Sequence, residues 1–139
     1  METVFIREAE MQIQLDHLIV PSADKLAAAQ LLAELLDVPW SDKTIGPFAP
    51  VFVSDSLTLD FDQCQEPFPL MHYCFRVDPQ QFDAILARIK ARGIAYRSGP
   101  RTDAVDYQEG SYNGGRIVYW DQPDGHAWEM LTVSYARQP

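Results

Sequence analysis

Basic residues are scarce in this sequence of 139 residues, which contains 11 Lys and Arg but 20 Asp and Glu. The resulting net charge of −9 argues against nucleic acid or an anionic membrane as a partner, because both require a basic surface. Long apolar runs are also missing, and none approaches the roughly 20 residues of a membrane-spanning helix. We therefore expect neither nucleic-acid binding nor a membrane span.

Cysteine is rarer still, and the two cysteines, Cys64 and Cys74, are not spaced as a Cys-x-x-Cys pair. The first ten residues, METVFIREAE, lack the basic-then-apolar pattern of a signal peptide. We expect reduced thiols and a soluble, cytoplasmic protein. The hydrophobic content of 47% is sufficient for one globular domain over residues 1–139.

The pattern of apolar residues divides the chain into two halves with the same plan of one strand, one helix and three strands. The first module covers about residues 12–63 and the second about residues 70–135. The predicted helices are Ala23–Leu36 and Gln80–Arg92. The principal predicted strands are Gln12–Val20, Val51–Val53, Leu57–Asp62, Met71–Val77, Ile94–Arg97, Arg116–Trp120 and Ala127–Tyr135.

Helix-start signals precede both predicted helices. Ser22 is the expected N-cap of the first helix, and Asp78 caps the second helix with Pro79 at its first position. Gly93 is the expected stop of the second helix. A long polar segment, residues 98–115, is predicted to be a loop, and a loop of that length is often functional.

Only three histidines are present, and two of them occupy equivalent positions. His17 and His72 lie in the first strand of their modules, whereas Asp60 and Glu129 lie in the last. A carboxylate in the middle of an apolar strand, as at Glu129, is costly unless a partner compensates its desolvation. A metal ion is one such partner. His126 follows a turn, and it is predicted to serve that turn or to orient a metal ligand rather than to bind metal itself.

Three segments carry a resemblance to a known family: LDHLIV around His17, MHYCFRV around His72, and DQPDGHAWE ending at Glu129. With these segments in this order, the chain resembles the vicinal oxygen chelate superfamily. That superfamily contains glyoxalase I, the bleomycin- and fosfomycin-resistance proteins and the extradiol dioxygenases. The resemblance implies an α+β fold in which two βαβββ modules form a curled, cup-like mixed sheet with helices outside.

The resemblance also implies a divalent metal ion held by His17, His72 and Glu129. Asp60 is the nearest match to the fourth ligand of many members, although Asp is one methylene shorter than the usual Glu. Two imidazoles and a carboxylate suit Zn, Ni, Mn, Co or Fe(II), and they leave positions open for a substrate that chelates through vicinal oxygens.

The sequence favours a glyoxalase-like lyase or isomerase for such a centre, with two alternatives. A glyoxalase-like lyase or isomerase would use Glu129 and Asp60 as catalytic carboxylates that move a proton between carbons. An extradiol-type Fe(II) dioxygenase is the first alternative, and the segment 119–129 partly matches its signature. However, the histidine expected upstream is missing from residues 110–112. The third hypothesis is a non-catalytic, drug-binding protein of the bleomycin-resistance type.

Candidate substrate contacts lie around the predicted centre. Arg76 shares a strand face with His72, so it is placed either to meet a substrate anion or to pair with Asp60 or Asp62. The loop 98–115 is predicted to cover the substrate. The remaining candidate contacts, in or beside that loop, are Tyr112, Asn113 and Arg116.

Superfamily members of this length usually form homodimers, and the resemblance implies one here. The cup can then be built within one chain or from modules of two chains. In the second arrangement His17 and Asp60 come from one chain, and His72 and Glu129 from its partner. The sequence leaves both arrangements open.

Overall fold

The structure, a computed structural model, describes residues 12–43, 46–100 and 104–137. The first module contains β1 (His17–Ser22), α1 (Lys25–Leu36), β2 (Ala49–Phe52) and β3 (Thr58–Gln63). The second module contains β4 (His72–Arg76), α2 (Pro79–Ala91), β5 (Tyr96–Arg97), β6 (Gly110–Tyr112), β7 (Gly115–Asp121) and β8 (Ala127–Leu131). None of the helices in these ranges is long and apolar enough to cross a membrane.

The two modules share one sheet topology. The first sheet has the order β1-β3-β2, and Trp40 extends it through an isolated bridge to Val51. The second sheet has the order β4-β8-β7-β5, with β6 paired to β7. In both sheets the first strand lies parallel to the last strand of its module. The predicted α+β fold with two related modules is confirmed.

Each sheet has one face against a helix and one face turned away from it. In the first sheet Val20, Leu59 and Phe61 are fully buried and join the core cluster. His17 and Asp60 lie on the opposite face, since side chains alternate along a strand and His17 pairs with Thr58 in the register. The sheet thus separates a packing face from the face that carries the predicted ligands.

The helix ends are partly as predicted. Asp78 accepts a hydrogen bond from the Gln81 N–H at 2.7 Å, and the Gln81 side chain returns one to the Asp78 backbone. The predicted Ser22 cap of α1 was wrong, because Asp24 accepts the Ala27 N–H. The Ser22 hydroxyl instead donates to Asp124 at 2.6 Å.

The core joins both modules. The four residues of the predicted α2 stripe, Phe82, Ile85, Leu86 and Ile89, are all buried. His126 is fully buried as well, and its Nδ1 accepts the Met71 N–H at 3.0 Å. Because that leaves the proton on Nε2, the ring donates to the Pro21 carbonyl at 2.8 Å. His126 therefore links β1 to the second module.

Two predicted boundaries were wrong near the C-terminal hairpin. The segment 98–115 is not loop throughout, because it contains β6 and a tight turn at Asn113 and Gly114. These two residues have φ of 48° and 78°, as the two-residue turn of a hairpin requires. Residues 101–103 of the segment lie outside the described residues. In addition, β8 ends at Leu131 instead of continuing to Tyr135.

The cap of α2 gives a direct test of the local fold. We expect Asp78→Ala to lower the free energy of unfolding by about 1 kcal/mol, because the substitution leaves the Gln81 N–H without its acceptor. Urea unfolding at fixed protein concentration measures this change in the free energy of unfolding, and the m-value should stay the same. The control is Asp55→Ala in the exposed turn after β2, where a change within about 0.5 kcal/mol is expected. Equal losses in both variants would contradict the cap.

Candidate metal centre

The parallel pairing of β4 with β8 brings His72 and Glu129 together. In the register His72 lies opposite Ala127, and Cys74 lies opposite Glu129. The three side chains His72, Cys74 and Glu129 therefore share the face turned away from α2. His72 Nε2 lies 3.0 Å from Glu129 Oε1. His72 is half-exposed, whereas Glu129 is fully buried.

The hydrogen bonding of His72 shows that a cation fits beside Glu129. His72 Nδ1 lies 3.2 Å from the Ala127 carbonyl oxygen, which can only accept, so Nδ1 carries a proton. In the neutral ring Nε2 then presents a lone pair to the carboxylate. Two acceptors at 3.0 Å repel each other unless a proton or a metal ion lies between them.

These two atoms are close enough for one cation to contact both. A separation of 3.0 Å fits a shared proton or a metal ion that both residues would hold. Glu129 Oε2 is also buried and has no hydrogen-bond partner among the described residues. A buried charged oxygen without a partner is costly, and a divalent cation would compensate it. The residues present therefore fit a metal ion.

A tyrosine that the sequence analysis missed completes this environment. The Tyr135 hydroxyl donates to Glu129 Oε1 at 2.6 Å. Burial, followed by the hydrogen bond to Glu129, raises the pKa of Tyr135, so the phenol stays protonated. Burial likewise raises the pKa of Tyr119, which stacks 6.2 Å from His72. In the predicted strand Ala127–Tyr135, Tyr135 and Glu129 share one face. Along a straight strand, however, the two residues would lie about 20 Å apart, so the sequence did not indicate a contact between them.

Cys74 faces the same carboxylate. Burial, together with the charge of Glu129 and a hydrogen bond to it, raises the pKa of the Cys74 thiol to about 12. The thiolate is therefore suppressed near neutral pH, and the sulfur acts as a weak donor.

His17 and Asp60 form a second pair on the first sheet. His17 Nδ1 lies 2.8 Å from Asp16 Oδ2. This hydrogen bond raises the pKa of His17, and the charges of Asp16 and Asp60 add to the effect. Among the described residues, no cluster of three or more His, Cys, Asp or Glu side chains is arranged to hold a metal ion. One chain thus presents the four predicted ligands as two separate pairs.

A cavity of about 280 Å³ opens beside His72. Its walls are largely apolar, and two phenols, Tyr119 and Tyr135, line it next to the imidazole. Such a cavity suits a small organic molecule. The other lining residues are Leu70, Met71, Pro100 and Ala127.

Two of the predicted substrate contacts are arginines in different surroundings. Arg76 is exposed at a separate cavity of about 390 Å³, and no ion pair joins it to Asp60 or Asp62 in the described parts of the chain. Arg116 makes ion pairs of 2.7 Å with both Glu109 and Asp83. A substrate anion would have to displace these carboxylates from Arg116.

The other two predicted contacts belong to the β6–β7 hairpin. The Tyr112 ring meets the Tyr135 ring edge-on at 6.1 Å, so it is linked to Glu129 through Tyr135. Asn113 lies in the exposed turn, and its left-handed backbone conformation is the one that this two-residue hairpin turn requires. The roles predicted for both residues in substrate binding remain predictions.

The environment of Cys74 predicts slow alkylation of the metal-free protein. In a Cys64→Ser background, we expect Cys74 to react with iodoacetamide at pH 8 about a thousandfold more slowly than a thiol of pKa 9.0, because its pKa is about 12. The rate should rise about tenfold per pH unit toward that pKa. Glu129→Gln should accelerate the reaction, whereas the exposed control Glu66→Gln should not. A rate that levels off below pH 10 would contradict this assignment.

No protein-family model and no curated protein matches this chain. Among solved structures, the oxidase ChaP-H2 is 35% identical with a TM-score of 0.84, over 90% of this chain and 97% of that chain. The oxidase ChaP-H1 is 36% identical with a TM-score of 0.83, over 91% of this chain and 100% of that chain. A glyoxalase/dioxygenase from Nostoc punctiforme, at 21% identity and a TM-score of 0.65, covers 87% of this chain and 91% of that chain.

The Nostoc structure shows a shared fold alone. The two oxidases are similar to this chain in sequence as well as structure, from end to end of their own chains. The topology of the two modules and the segments around His17, His72 and Glu129 agree with that relationship. The chain belongs to the vicinal oxygen chelate superfamily.

Proposed function

We propose that the protein is a metal-dependent oxidase whose centre is completed by a second copy of the chain. It acts in the cytoplasm on a small molecule that chelates the metal through two adjacent oxygens. The single observation that carries the metal centre is the separation of 3.0 Å between His72 Nε2 and Glu129 Oε1, with no hydrogen-bond partner for the buried Oε2 among the described residues. The relatives named as oxidases support the choice of reaction.

The proposed ligands are His17, His72 and Glu129, with Asp60 as a fourth candidate. Two histidines and one carboxylate with open positions are typical of non-haem Fe(II) oxygenases. When bound, Fe(II) supplies the redox chemistry that lets dioxygen take electrons from an organic substrate. Zn, Ni, Mn and Co suit the same ligands, so the choice of Fe(II) rests on the proposed oxidation, which needs a redox-active metal.

Residues around His72 and Glu129 form a cavity that suits such a substrate. The largely apolar walls of the 280 Å³ cavity border the open side of His72 and suit the hydrocarbon part of a small substrate. Tyr119 lines the cavity with a protonated phenol whose hydroxyl interacts with Glu129 and Tyr135, so it lies beside the proposed ligand. Tyr135 holds Glu129 Oε1, and the buried position of Glu129 strengthens its attraction for a cation.

The face of the first sheet that carries His17 supports a homodimer. Ile19 and Phe52 lie on this face with 51% and 41% of their surfaces exposed. Apolar side chains exposed together on a sheet face indicate a surface that another protein covers. A second copy that laid its β4–β8 face over this surface would bring His17 and Asp60 to the partner's His72 and Glu129.

A glyoxalase-like lyase or isomerase is the second candidate. Its favouring observation is Glu129 Oε2, a buried carboxylate oxygen without a hydrogen-bond partner among the described residues. Such an oxygen is free to accept a proton from a substrate carbon, and Asp60 would hold the complementary position across the cup. Arg76, Tyr112, Asn113 and Arg116 remain proposed substrate contacts for either reaction.

Exchange of subunits tests where the centre is built. We expect His17→Ala and His72→Ala, each alone, to lose high-affinity Co(II) binding. When equimolar variants are unfolded together and refolded, about half of the dimers are mixed, and each mixed dimer retains one intact site. The mixture should therefore recover about a quarter of the wild-type sites. No recovery would show that the ligands do not combine across two chains.

Oxygen uptake separates the two candidate reactions. We expect the Fe(II)-loaded protein to consume dioxygen with a catechol or another compound that offers adjacent oxygens. The Zn(II)-loaded protein should not, because zinc has no redox chemistry. His72→Ala should abolish the uptake. Isomerisation of a hemithioacetal by the Ni-, Zn- or Co-loaded protein, without oxygen uptake by the Fe(II) form, would favour the second candidate instead.

A further inference from the structure

The Tyr135 hydroxyl makes a short hydrogen bond to Glu129, and Cys74 and Tyr119 also interact with this carboxylate. The carboxylate is fully buried, and its Oε1 accepts the Tyr135 hydroxyl at 2.6 Å while facing His72 Nε2 at 3.0 Å. Its Oε2 has no hydrogen-bond partner in the described part of the chain. A glutamate side chain has three rotatable bonds, so the hydroxyl that fixes one oxygen also fixes where the other points.

The segment that carries Tyr135 is anchored to the start of β7. After β8 ends, the Thr132 N–H donates to the Arg116 carbonyl at 3.0 Å, and Thr132 Oγ1 accepts the Arg116 N–H at 2.9 Å. Val133 packs against Gly115, where an added Cβ would lie 2.7 Å from the Val133 side chain. This close approach requires glycine and turns the chain back over β8.

Tyr135 contributes more through its hydrogen bond to Glu129 than through packing of its ring in the core. Tyr135 keeps 43% of its surface exposed, and its aromatic neighbour is Tyr112, whose ring meets it edge-on at 6.1 Å. A tyrosine that served only packing would be expected to bury more of its ring. The hydroxyl bond to Glu129 is therefore the distinctive interaction of this residue.

We propose that Tyr135 is a positioning residue that holds Glu129 so that one carboxylate oxygen is fixed for metal binding. This inference rests on the proposed metal centre, because it assigns Tyr135 a role in forming that centre. The anchored segment at 132–135 and the Tyr112 ring place the hydroxyl, and the hydroxyl orients the carboxylate toward His72 Nε2. Without the hydroxyl, Glu129 can rotate or bind through both oxygens.

The test is Tyr135→Phe, which removes the hydroxyl and keeps the ring. We expect Co(II) affinity, measured by competition with a chelating dye, to fall between about tenfold and a hundredfold, as for other groups that orient metal ligands. The visible absorption spectrum of bound Co(II) should also change, because the coordination by Glu129 changes. Tyr107→Phe, which removes the hydroxyl of another exposed tyrosine, is the matched control and should change neither quantity.

A second variant keeps the test informative if Tyr135→Phe does not fold. Gly115→Ala leaves every proposed ligand intact but displaces the segment through Val133, so it should also lower Co(II) affinity and alter the spectrum. If the wild-type protein binds no Co(II), the proposed metal centre fails and this inference fails with it. If the wild type binds Co(II) and Tyr135→Phe binds it equally with the same spectrum, this inference alone is overturned.

Discussion

The candidate site depends on one buried carboxylate beside one imidazole. Glu129 is fully buried, and its Oε1 lies 3.0 Å from His72 Nε2. Only the parallel pairing of the first and last strands of the second module places these residues side by side. The α2 crossover makes that parallel pairing possible, because parallel neighbours need a long connection. The fold and the site are therefore consequences of the same topology.

Local patterns in the sequence predicted much of this arrangement. The apolar stripe of α2 and the cap at Asp78 depend on residues within a few positions of one another, and the structure has both. The duplicated plan also placed His72 and Glu129 in the first and last strands of the second module, and the structure pairs these two strands. Such features follow from the periods of helices and strands, so a single sequence contains them.

Features that depend on distant segments could not be predicted in this way. Ser22 has the chemistry of a cap, but its hydroxyl bonds to Asp124, more than a hundred positions later. Tyr135 reaches Glu129 because the chain turns back after Leu131, and that turn follows from the fit of Val133 against Gly115. The Asn113 and Gly114 pair did signal a hairpin, and the predicted loop overlooked it.

The central proposal is that two copies of the chain together complete two metal centres, each around the His72 and Glu129 of one copy. Anomalous diffraction from crystals grown with Co(II) tests it most directly, because the signal locates the ion independently of the protein. The account predicts one cobalt ion per chain, bound by His72 Nε2, Glu129 and the partner's His17. Cobalt bound away from Glu129, or a dimer in which His17 points into solvent, would contradict it.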